Sequence, residues 1–385
     1  MLRVQSSGYS NHGVRCMGRF RAGLVLIFFS ILFTQYFTMQ RAAAQAPGDS
    51  SEKKLIPRAP DMAEKTLQDN RHISLDVVAT DSTGKTISGL QQQDFTILDN
   101  NQPQKMLSFD AFQGTTAEPP VEVVLLIDLV NTTFSRVAFE RQEIDKFLRQ
   151  NGGKLAYPTT LVMLADKGAQ IQPQPSRDGN AMADMLASSN SELRIIGRSA
   201  GFYGAEERLQ DSYTALNHLV GYEATKPGRK LVIWLSPGWP LLQGPNVQFS
   251  TKDLQTYYNW IADFSNSLRT ARITLYAVDP LGAGEGTLRE FYYESFLKGV
   301  KKPNQAGPGN LGLQVLAVHT GGRVFNGNND LTNEINSCVA DASAFYTMSF
   351  DAAPSDKVNE YHELTVKVDK PGVKIRTSAA YYGQP

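Results

Sequence analysis

The pattern of hydrophobic positions changes along the chain and divides it into segments of different predicted structure. From Ile73, apolar and polar residues alternate, which is typical of strands with one buried face. From Val121 the apolar runs become continuous, as in strands that are buried on both faces of a parallel sheet. After Asp341 the alternation returns. We therefore predict β structure on either side of an α/β region.

The α/β prediction rests on continuous apolar runs separated by helical patterns. These runs are VEVVLLIDLV from Val121 and residues 160–165, 231–235 and 273–278. Strands and helices in alternation predict a parallel sheet that is covered by helices. Before the last run, Ser250 and Asp253 form a capping-box pattern that predicts the start of an amphipathic helix.

The first flanking β segment is too short to close a sandwich alone, and the simplest architecture lets the second complete it. We predict that residues 69–117 and 344–385 form one split immunoglobulin-like β-sandwich. Residues 118–343 would then be an α/β domain inserted into it, because insertions are tolerated where the ends of a domain lie close together.

The first 46 residues have the order of a secretory signal peptide. Arginines precede an apolar run at residues 22–33, and alanines follow near residues 42–46, which is the basic, apolar and small-residue order of such peptides. The alternative is a membrane anchor, but the run is shorter than the ~20 residues that a spanning helix needs. We expect cleavage near Ala44 or Ala46, an exported periplasmic or secreted protein, no stable membrane span, and a flexible linker at residues 47–68.

Cleavage would also change the charge of the chain. It removes five arginines and no acidic residue, which leaves 33 basic side chains against 38 acidic ones and a net charge of −5. Nucleic acid is therefore not an expected partner, since phosphates demand a basic face. Cys16 is removed as well, so that Cys338 has no partner for an internal disulfide.

Several of these segments resemble von Willebrand factor A domains. VVLLIDLVNTTF is similar to the first strand and metal loop of that family, RKLVIWLSPGWP to the fourth strand, and LYAVDPLG to the fifth. With the flanking β segments and LAVHTGGRVFN, the resemblance extends from Ile73 to Gly383 and fits bacterial von Willebrand factor A-related proteins of the acidobacterial type. It implies a Rossmann-like, doubly wound, mainly parallel sheet with a ligand site at the carboxyl ends of the strands.

In that family a divalent cation is held by D-x-S-x-S, a threonine from a second loop and an aspartate after the fourth strand. Here Asp128 matches the leading carboxylate and Thr132 the second serine, but Val130 replaces the first serine. The fourth-strand loop begins Ser236-Pro237-Gly238 instead of T-D-G, and residues 201–211 contain no threonine. The resemblance therefore implies a degenerate metal-ion-dependent adhesion site, with Asp128 and Thr132 as metal ligands and with either no cofactor or Mg²⁺ or Ca²⁺.

The sequence carries no complete signature of a common enzyme class. The histidines lack the spacing that places two zinc ligands on one helix face, and neither G-x-S-x-G nor a phosphate loop is present. Ser236 follows a buried strand as a nucleophile would, but Pro237 lacks the backbone N–H that an oxyanion hole needs. We predict that the protein is not an enzyme, and an extracytoplasmic hydrolase is an alternative.

The leading hypothesis is an exported interaction or adhesion module that binds an unknown protein or cell-envelope component through loops at the carboxyl ends of the strands. The other alternative is a metal-dependent adhesin that uses Asp128 and Thr132. Residues 282–312 follow the fifth strand, and their aromatic side chains either recognise a partner or pack as a short helix onto the sheet. The predicted partner-binding residues are Asp128, Asn131, Thr132, Ser236, Phe291, Tyr292 and Tyr293.

Overall fold

A computed structural model describes residues 71–115, 117–118, 121–132, 134–165, 168–188, 201–242, 249–280, 292–326 and 329–385. These residues all belong to one compact unit, Pro60–Pro385. The predicted signal peptide (1–46), the predicted linker (47–68) and Phe291 lie outside the described residues. Within the described ranges, no helix has both the length and the apolar character to cross a membrane.

The elements are numbered in chain order. The strands are β1 (His72–Thr80), β2 (Phe95–Asp99), β3 (Gln102–Pro103), β4 (Ser108–Gln113), β5 (Glu122–Asp128), β6 (Lys154–Ala165), β7 (Gly168–Ile171), β8 (Ser176–Asp178), β9 (Lys230–Leu235), β10 (Ile273–Val278), β11 (Val324–Phe325), β12 (Ala344–Asp351), β13 (Glu360–Val368), β14 (Lys374–Arg376) and β15 (Ala380–Gly383). The α-helices are α1 (Phe134–Leu148), α2 (Gly179–Ser188), α3 (Gly201–Ala224), α4 (Thr251–Thr270), α5 (Leu313–His319) and α6 (Leu331–Val339).

A seven-stranded sheet lies at the centre of the α/β region, in the order β11-β10-β9-β5-β6-β7 with β8 also paired to β6. Strands β5, β6, β9, β10 and β11 are parallel, whereas β7 and β8 run antiparallel to β6. If the strands are numbered along the chain with β5 as the first and β8 left out, their order across the sheet is 3-2-1-4-5-6, as in doubly wound folds. The strand order therefore reverses between β5 and β9, the point at which such folds bind ligands.

The continuous apolar runs arise because helices cover both faces of this sheet. Val124 and Leu126 of β5 pack in a core with α3, α4 and α5, whereas Val123, Leu125 and Ile127 pack in a core with α1, α2 and α6. The predicted runs correspond to β5, β6, β9 and β10. The mixed α/β class that was predicted from the pattern is confirmed.

Helix α4 begins where the capping-box pattern predicts. The Ser250 hydroxyl accepts the Asp253 backbone N–H at 3.2 Å, and the Asp253 carboxylate accepts the Ser250 backbone N–H at 2.8 Å. Two backbone donors that the first turn cannot satisfy are thereby paired. The helix directs Tyr258, Ile261 and Phe264 into the core.

Two four-stranded antiparallel sheets lie beside the α/β region. Their strand orders are β14-β1-β12-β4 and β15-β13-β2-β3, so each sheet combines strands from before and after that region. They share one apolar core that includes Leu75, Ile97, Met348 and Leu364. This pairing is what a split sandwich requires, whereas the immunoglobulin-like topology and the domain boundaries stay predictions.

A buried polar cluster joins the parallel sheet to the sandwich. Asp341, between α6 and β12, accepts two hydrogen bonds of 2.7 Å from the Arg376 guanidinium on β14. It also accepts the Tyr276 hydroxyl of β10 at 2.7 Å, and Arg323 Nε lies 3.7 Å away. Because these residues come from both parts, the cluster fixes their contact.

Candidate functional site

Asp128 is the last residue of β5 and lies at the carboxyl edge of the parallel sheet, beside the point where the strand order reverses. Its side chain is completely buried. Oδ1 accepts the backbone N–H groups of Val130 and Asn131, each at 2.9 Å. Oδ2 accepts Asn131 Nδ2 at 2.8 Å and Trp234 Nε1 at 3.0 Å. A carboxylate has about four acceptor positions, so protein donors already fill those of Asp128.

Asn131 connects this carboxylate to helix α3. Its Nδ2 also donates to Ser212 Oγ at 2.9 Å, and the Ser212 hydroxyl donates to the Arg208 carbonyl at 2.7 Å. The Asn131 Oδ1 atom is buried and has no hydrogen-bond partner among the described residues. Sequence reasoning missed Ser212, although it directly follows the segment 201–211 in which a hydroxyl ligand was sought.

A second acid lies behind Thr132. The Thr132 hydroxyl donates to Glu140 Oε1 at 3.3 Å, and Glu140 is completely buried on α1 with Oε2 unpaired. Burial raises the pKa of Glu140 well above its usual value, and the charges of Asp128 and Asp279 raise it further, whereas the Thr132 hydrogen bond lowers it. This environment favours the neutral acid.

These residues do not fit the cation site of the resembled family. Asp128 is occupied by four donors, Val130 is aliphatic, and the Thr132 hydroxyl is directed to Glu140. Among the described residues that contact Asp128 or Thr132, the buried oxygens without a hydrogen-bond partner are Asn131 Oδ1 and Glu140 Oε2, whereas Ca²⁺ takes about six to eight oxygen ligands. Across the described ranges, no three or more His, Cys, Asp or Glu side chains are grouped in a way that could hold a metal ion.

Ser236 follows β9 and is 1% exposed. Its backbone N–H donates to the Val278 carbonyl at 2.9 Å, and its hydroxyl accepts the Gly238 N–H at 3.2 Å. Gly238 has φ +99°, and a Cβ there would collide with the Gln314 side chain, so the turn requires glycine. The Ser236 hydroxyl is therefore enclosed within this turn.

Tyr292 and Tyr293 lie near this turn. The Tyr292 hydroxyl donates to Gln314 Oε1 at 2.9 Å, so Gln314 contacts both Tyr292 and Gly238. The two tyrosines and Asn131 are half-buried. Residues 292–312 form short 3₁₀ helices rather than an open loop, and residues 308–312 are buried. The structure thus places Asp128, Asn131 and Thr132 in one group, and Ser236 and the tyrosines in another around Gln314.

A chain of aromatic rings leads from Asp128 to the protein surface. Neighbouring ring centroids are 5.0 to 6.0 Å apart, in the order Trp234, Trp239, Tyr213, Trp260, Tyr257 and Phe249. Trp260 is 37% exposed, and Tyr203, near the start of α3, is 76% exposed. Burial raises the pKa of Tyr257, and the nearby charges of Asp253 and Glu206 add to the effect. Tyr203 is one helical turn before Glu206 on α3, and we group it with these rings. We call Tyr203, Phe249, Tyr257 and Trp260 the aromatic surface.

Comparisons with known proteins add little to this geometry. No family model matches the chain, and no curated protein matches it. The fold is similar to the manganese-loaded Plasmodium vivax TRAP protein, with a TM-score of 0.30 and 10% identity over 73% of this chain and 100% of that one. It is also similar to the pilus adhesin SpaC from Lactobacillus rhamnosus GG, with a TM-score of 0.31 and 9% identity over 76% of this chain and 49% of the adhesin. At these TM-scores the likenesses carry no argument about function.

Proposed function

We propose that the protein is an exported, non-catalytic interaction module that binds a protein or cell-envelope partner at the carboxyl edge of its parallel sheet. The observation that carries this proposal is the aromatic surface. Exposed tyrosine and tryptophan side chains are enriched where proteins bind each other, because they bury a large area at low entropic cost. Half-buried Asn131, Thr132, Tyr292 and Tyr293 would border the contact at the same edge.

The proposed mode of binding needs no metal ion. In a metal-dependent adhesin the cation leaves one position for an acidic residue of the partner. Here the Trp234 and Asn131 side chains donate to Asp128 in place of a cation. A buried Asp128 would therefore hold the edge in shape, while a partner contacts the side chains around it.

The charge beside the aromatic surface favours a basic partner. Glu206, Glu207 and Asp253 are exposed there, against the exposed Lys252. Opposite charges steer association and exclude wrong partners, and arginine or lysine can also stack on aromatic rings. We therefore expect the partner to present arginine or lysine side chains.

Retention of envelope proteins tests the proposal. The chain from residue 47 is immobilised, incubated with envelope extract in EDTA or in excess Mg²⁺, and the retained proteins are quantified. We expect the same proteins in both conditions, and their loss in Tyr203→Ala and Trp260→Ala. Val358→Ala is the control, since Val358 is a 67% exposed hydrophobic residue between the sandwich strands β12 and β13.

Two results would count against the proposal. Retention that is unaffected by both aromatic substitutions would exclude the aromatic surface as the binding site. Retention that requires Mg²⁺ and disappears in Asp128→Ala would instead establish the metal-dependent adhesin.

Thermal unfolding gives an independent test of metal binding. A cation at a hundredfold its dissociation constant would add roughly 2.7 kcal/mol and raise Tm by at least about 2 °C. We expect equal Tm values in EDTA and in excess Mg²⁺, Ca²⁺ or Mn²⁺, because the oxygens of Asp128 are already occupied. A rise that Asp128→Ala abolishes would contradict this expectation.

A second candidate function is hydrolysis, which one hydrogen-bonded chain favours. Ser355 Oγ lies 3.1 Å from His362 Nε2, and His362 Nδ1 lies 2.9 Å from Asp99 Oδ1. The Tyr381 hydroxyl donates to Asp99 Oδ2 at 2.6 Å. This is the order of nucleophile, base and orienting carboxylate found in serine hydrolases.

The surroundings of Ser355 place this candidate second. The residue is 7% exposed, its backbone N–H donates to the Gln384 carbonyl, and the next N–H, of Asp356, donates to Glu360. Neither is available to stabilise an oxyanion. Labelling with a fluorophosphonate tests it, with Ser355→Ala as the control. We expect no labelling, whereas labelling that Ser355→Ala abolishes would establish a nucleophilic serine.

A further inference from the structure

A cavity of about 320 Å³ lies between helices α4 and α5 and the strands β13 and β15. Its apolar lining includes Ile261 and Leu268 of α4, Leu316 of α5 and Leu364 of β13. Small-molecule sites of proteins are mainly apolar clefts of roughly 300–1,000 Å³, often between structural units. The cavity has this size and position, and it does not include the aromatic surface.

The charged side chains of the cavity are mainly basic. Lys298 and Lys301 line it together with one acid, Glu363, and all three residues are exposed. Lys301 Nζ lies 5.6 Å from the centre of the Tyr361 ring. Among the residues that the structure describes, neither lysine forms an ion pair. Both ammonium groups are therefore available to a ligand.

Two further basic residues lie at or next to the cavity lining: His319 lines it, and Arg269 follows on the next turn of α4. His319 Nε2 lies 3.0 Å from the Leu297 carbonyl, which can only accept, so Nε2 carries a proton. Burial lowers the pKa of His319, which favours the neutral ring. Arg269 is one helical turn after Ser265, which lines the cavity. Burial lowers the pKa of Arg269 to about 10. Its Nε atom is buried and has no hydrogen-bond partner among the described residues. The Arg269 guanidinium is therefore charged at neutral pH, one helical turn from a residue that lines the cavity.

We propose that this cavity binds a small amphipathic anion, with its carboxylate or similar head group at Lys298 and Lys301 and its apolar body against Leu268, Leu316 and Leu364. A cavity of about 150 Å³ accommodates benzene, so one of twice that volume suits roughly twelve non-hydrogen atoms. The ligand would thus be a medium-chain or aromatic carboxylate. This inference does not depend on the proposed partner surface.

Calorimetric titration of the whole chain with decanoate, decan-1-ol and decylammonium tests the proposal, because these ligands differ chiefly in head-group charge. We expect decanoate to bind at one site per chain, and more tightly than the other two. Lys298→Ala combined with Lys301→Ala should weaken decanoate binding about tenfold, the equivalent of about 1.4 kcal/mol. Lys302→Ala is the matched control, since Lys302 is exposed but does not line the cavity.

A variant that fills the cavity gives a second test. Ser378 lines the cavity, so Ser378→Trp should abolish decanoate binding, whereas Ser378→Ala should preserve it. If Ser378→Trp does not fold, the lysine variants decide. The proposal is overturned if decan-1-ol binds as tightly as decanoate, if the double lysine variant binds decanoate unchanged, or if a folded Ser378→Trp protein still binds it.

Discussion

Asp128 and Asp341 are both completely buried aspartates, yet they are stabilised by opposite means. Asp128, at the carboxyl edge, accepts hydrogen bonds from neutral donors, two backbone N–H groups and the Asn131 and Trp234 side chains. Asp341, at the junction with the sandwich, accepts two bonds from Arg376. Burial alone would raise the pKa of Asp341, but the Arg376 bonds and charge lower it below its usual value.

The two clusters therefore differ in their donors: neutral groups surround the carboxylate at the edge, whereas arginines surround the one at the junction. Glu140 and Glu334 near this edge also have raised pKa values, and for both the charge of Asp279 contributes after burial. The raised pKa values favour the neutral form of both acids, which limits the negative charge at this edge. At the junction, by contrast, arginines balance the buried aspartate.

The largest expected effect is at the junction. Asp341→Asn should destabilise the protein by about 3–5 kcal/mol, because it leaves the partly buried Arg376 and Arg323 without their acidic partner. Urea unfolding of the whole chain would measure the loss as a lower midpoint. A loss below about 1 kcal/mol would show that the arginines find other partners, and the contrast with Asp128 would fail.

Removing a neutral donor from Asp128 should cost less. Trp234→Phe deletes the indole N–H that donates to Asp128 Oδ2, and we expect a loss of about 1–3 kcal/mol beyond that of its control. The control is Trp239→Phe, which removes the same atoms from a buried indole whose N–H has no partner in the part of the chain that the structure describes. Equal losses in the two variants, measured by urea unfolding, would mean that this hydrogen bond contributes nothing to stability.

Sequence patterns predicted much of the sheet but not the partners of Asp128. The apolar run from Val121 was enough to predict a buried strand, and Asp128 at its end was a reasonable candidate. Trp234 looked like one more apolar residue of β9. Its role depends on the pairing of β5 with β9, which places Trp234 directly beside Leu126. Asp128 follows Leu126 by two residues and therefore lies on the same face of the sheet. Periodicity gives the face of a residue but not its neighbour on the next strand.

Glu140 and Gln314 were missed for a related reason. Glu140 is a charged residue on a helix, which is normally exposed, and nothing in its local pattern indicates that it is completely buried. Gln314 contacts Gly238 and Tyr292, which are far from it in sequence. Such contacts depend on how α1 and α5 pack on the sheet, which no short motif records.

The raised pKa values of the acids near the edge predict a stability that falls as pH rises. Burial, then Asp279 and Asp330, raises the pKa of Glu334 from 4.5 to about 7. Between these values the Glu334 carboxyl is ionised in the unfolded chain but not in the folded one. Its contribution to the free energy of unfolding is therefore fully present below about pH 4.5 and is lost as the pH rises to about 7. The full shift equals about 3 kcal/mol, and solvent screening reduces the expected loss to roughly 1–2 kcal/mol.

Glu334→Gln separates this acid from the others. The variant should be less dependent on pH between pH 5 and about 7 than the parent protein, in urea unfolding at several pH values, because glutamine does not titrate. The residual dependence in the same direction would come from Glu140, whose pKa is also raised. An unchanged pH profile would show that Glu334 is ionised throughout, and the edge would then carry more charge than we infer.

The smallest effect on stability is expected where a carboxylate is exposed. This variant is the reference against which the losses in Asp341→Asn, Trp234→Phe and Glu334→Gln are judged. Asp184 accepts a hydrogen bond from Arg149 at 2.7 Å, as short as those at Asp341, but its side chain is 74% exposed. Water can replace Arg149 as its partner, so Asp184→Ala should leave Tm unchanged within experimental error. A loss comparable to that of Asp341→Asn would mean that ion pairing itself, rather than burial, sets the cost. In that case the contrast between the edge and the junction would reflect only the presence of arginine.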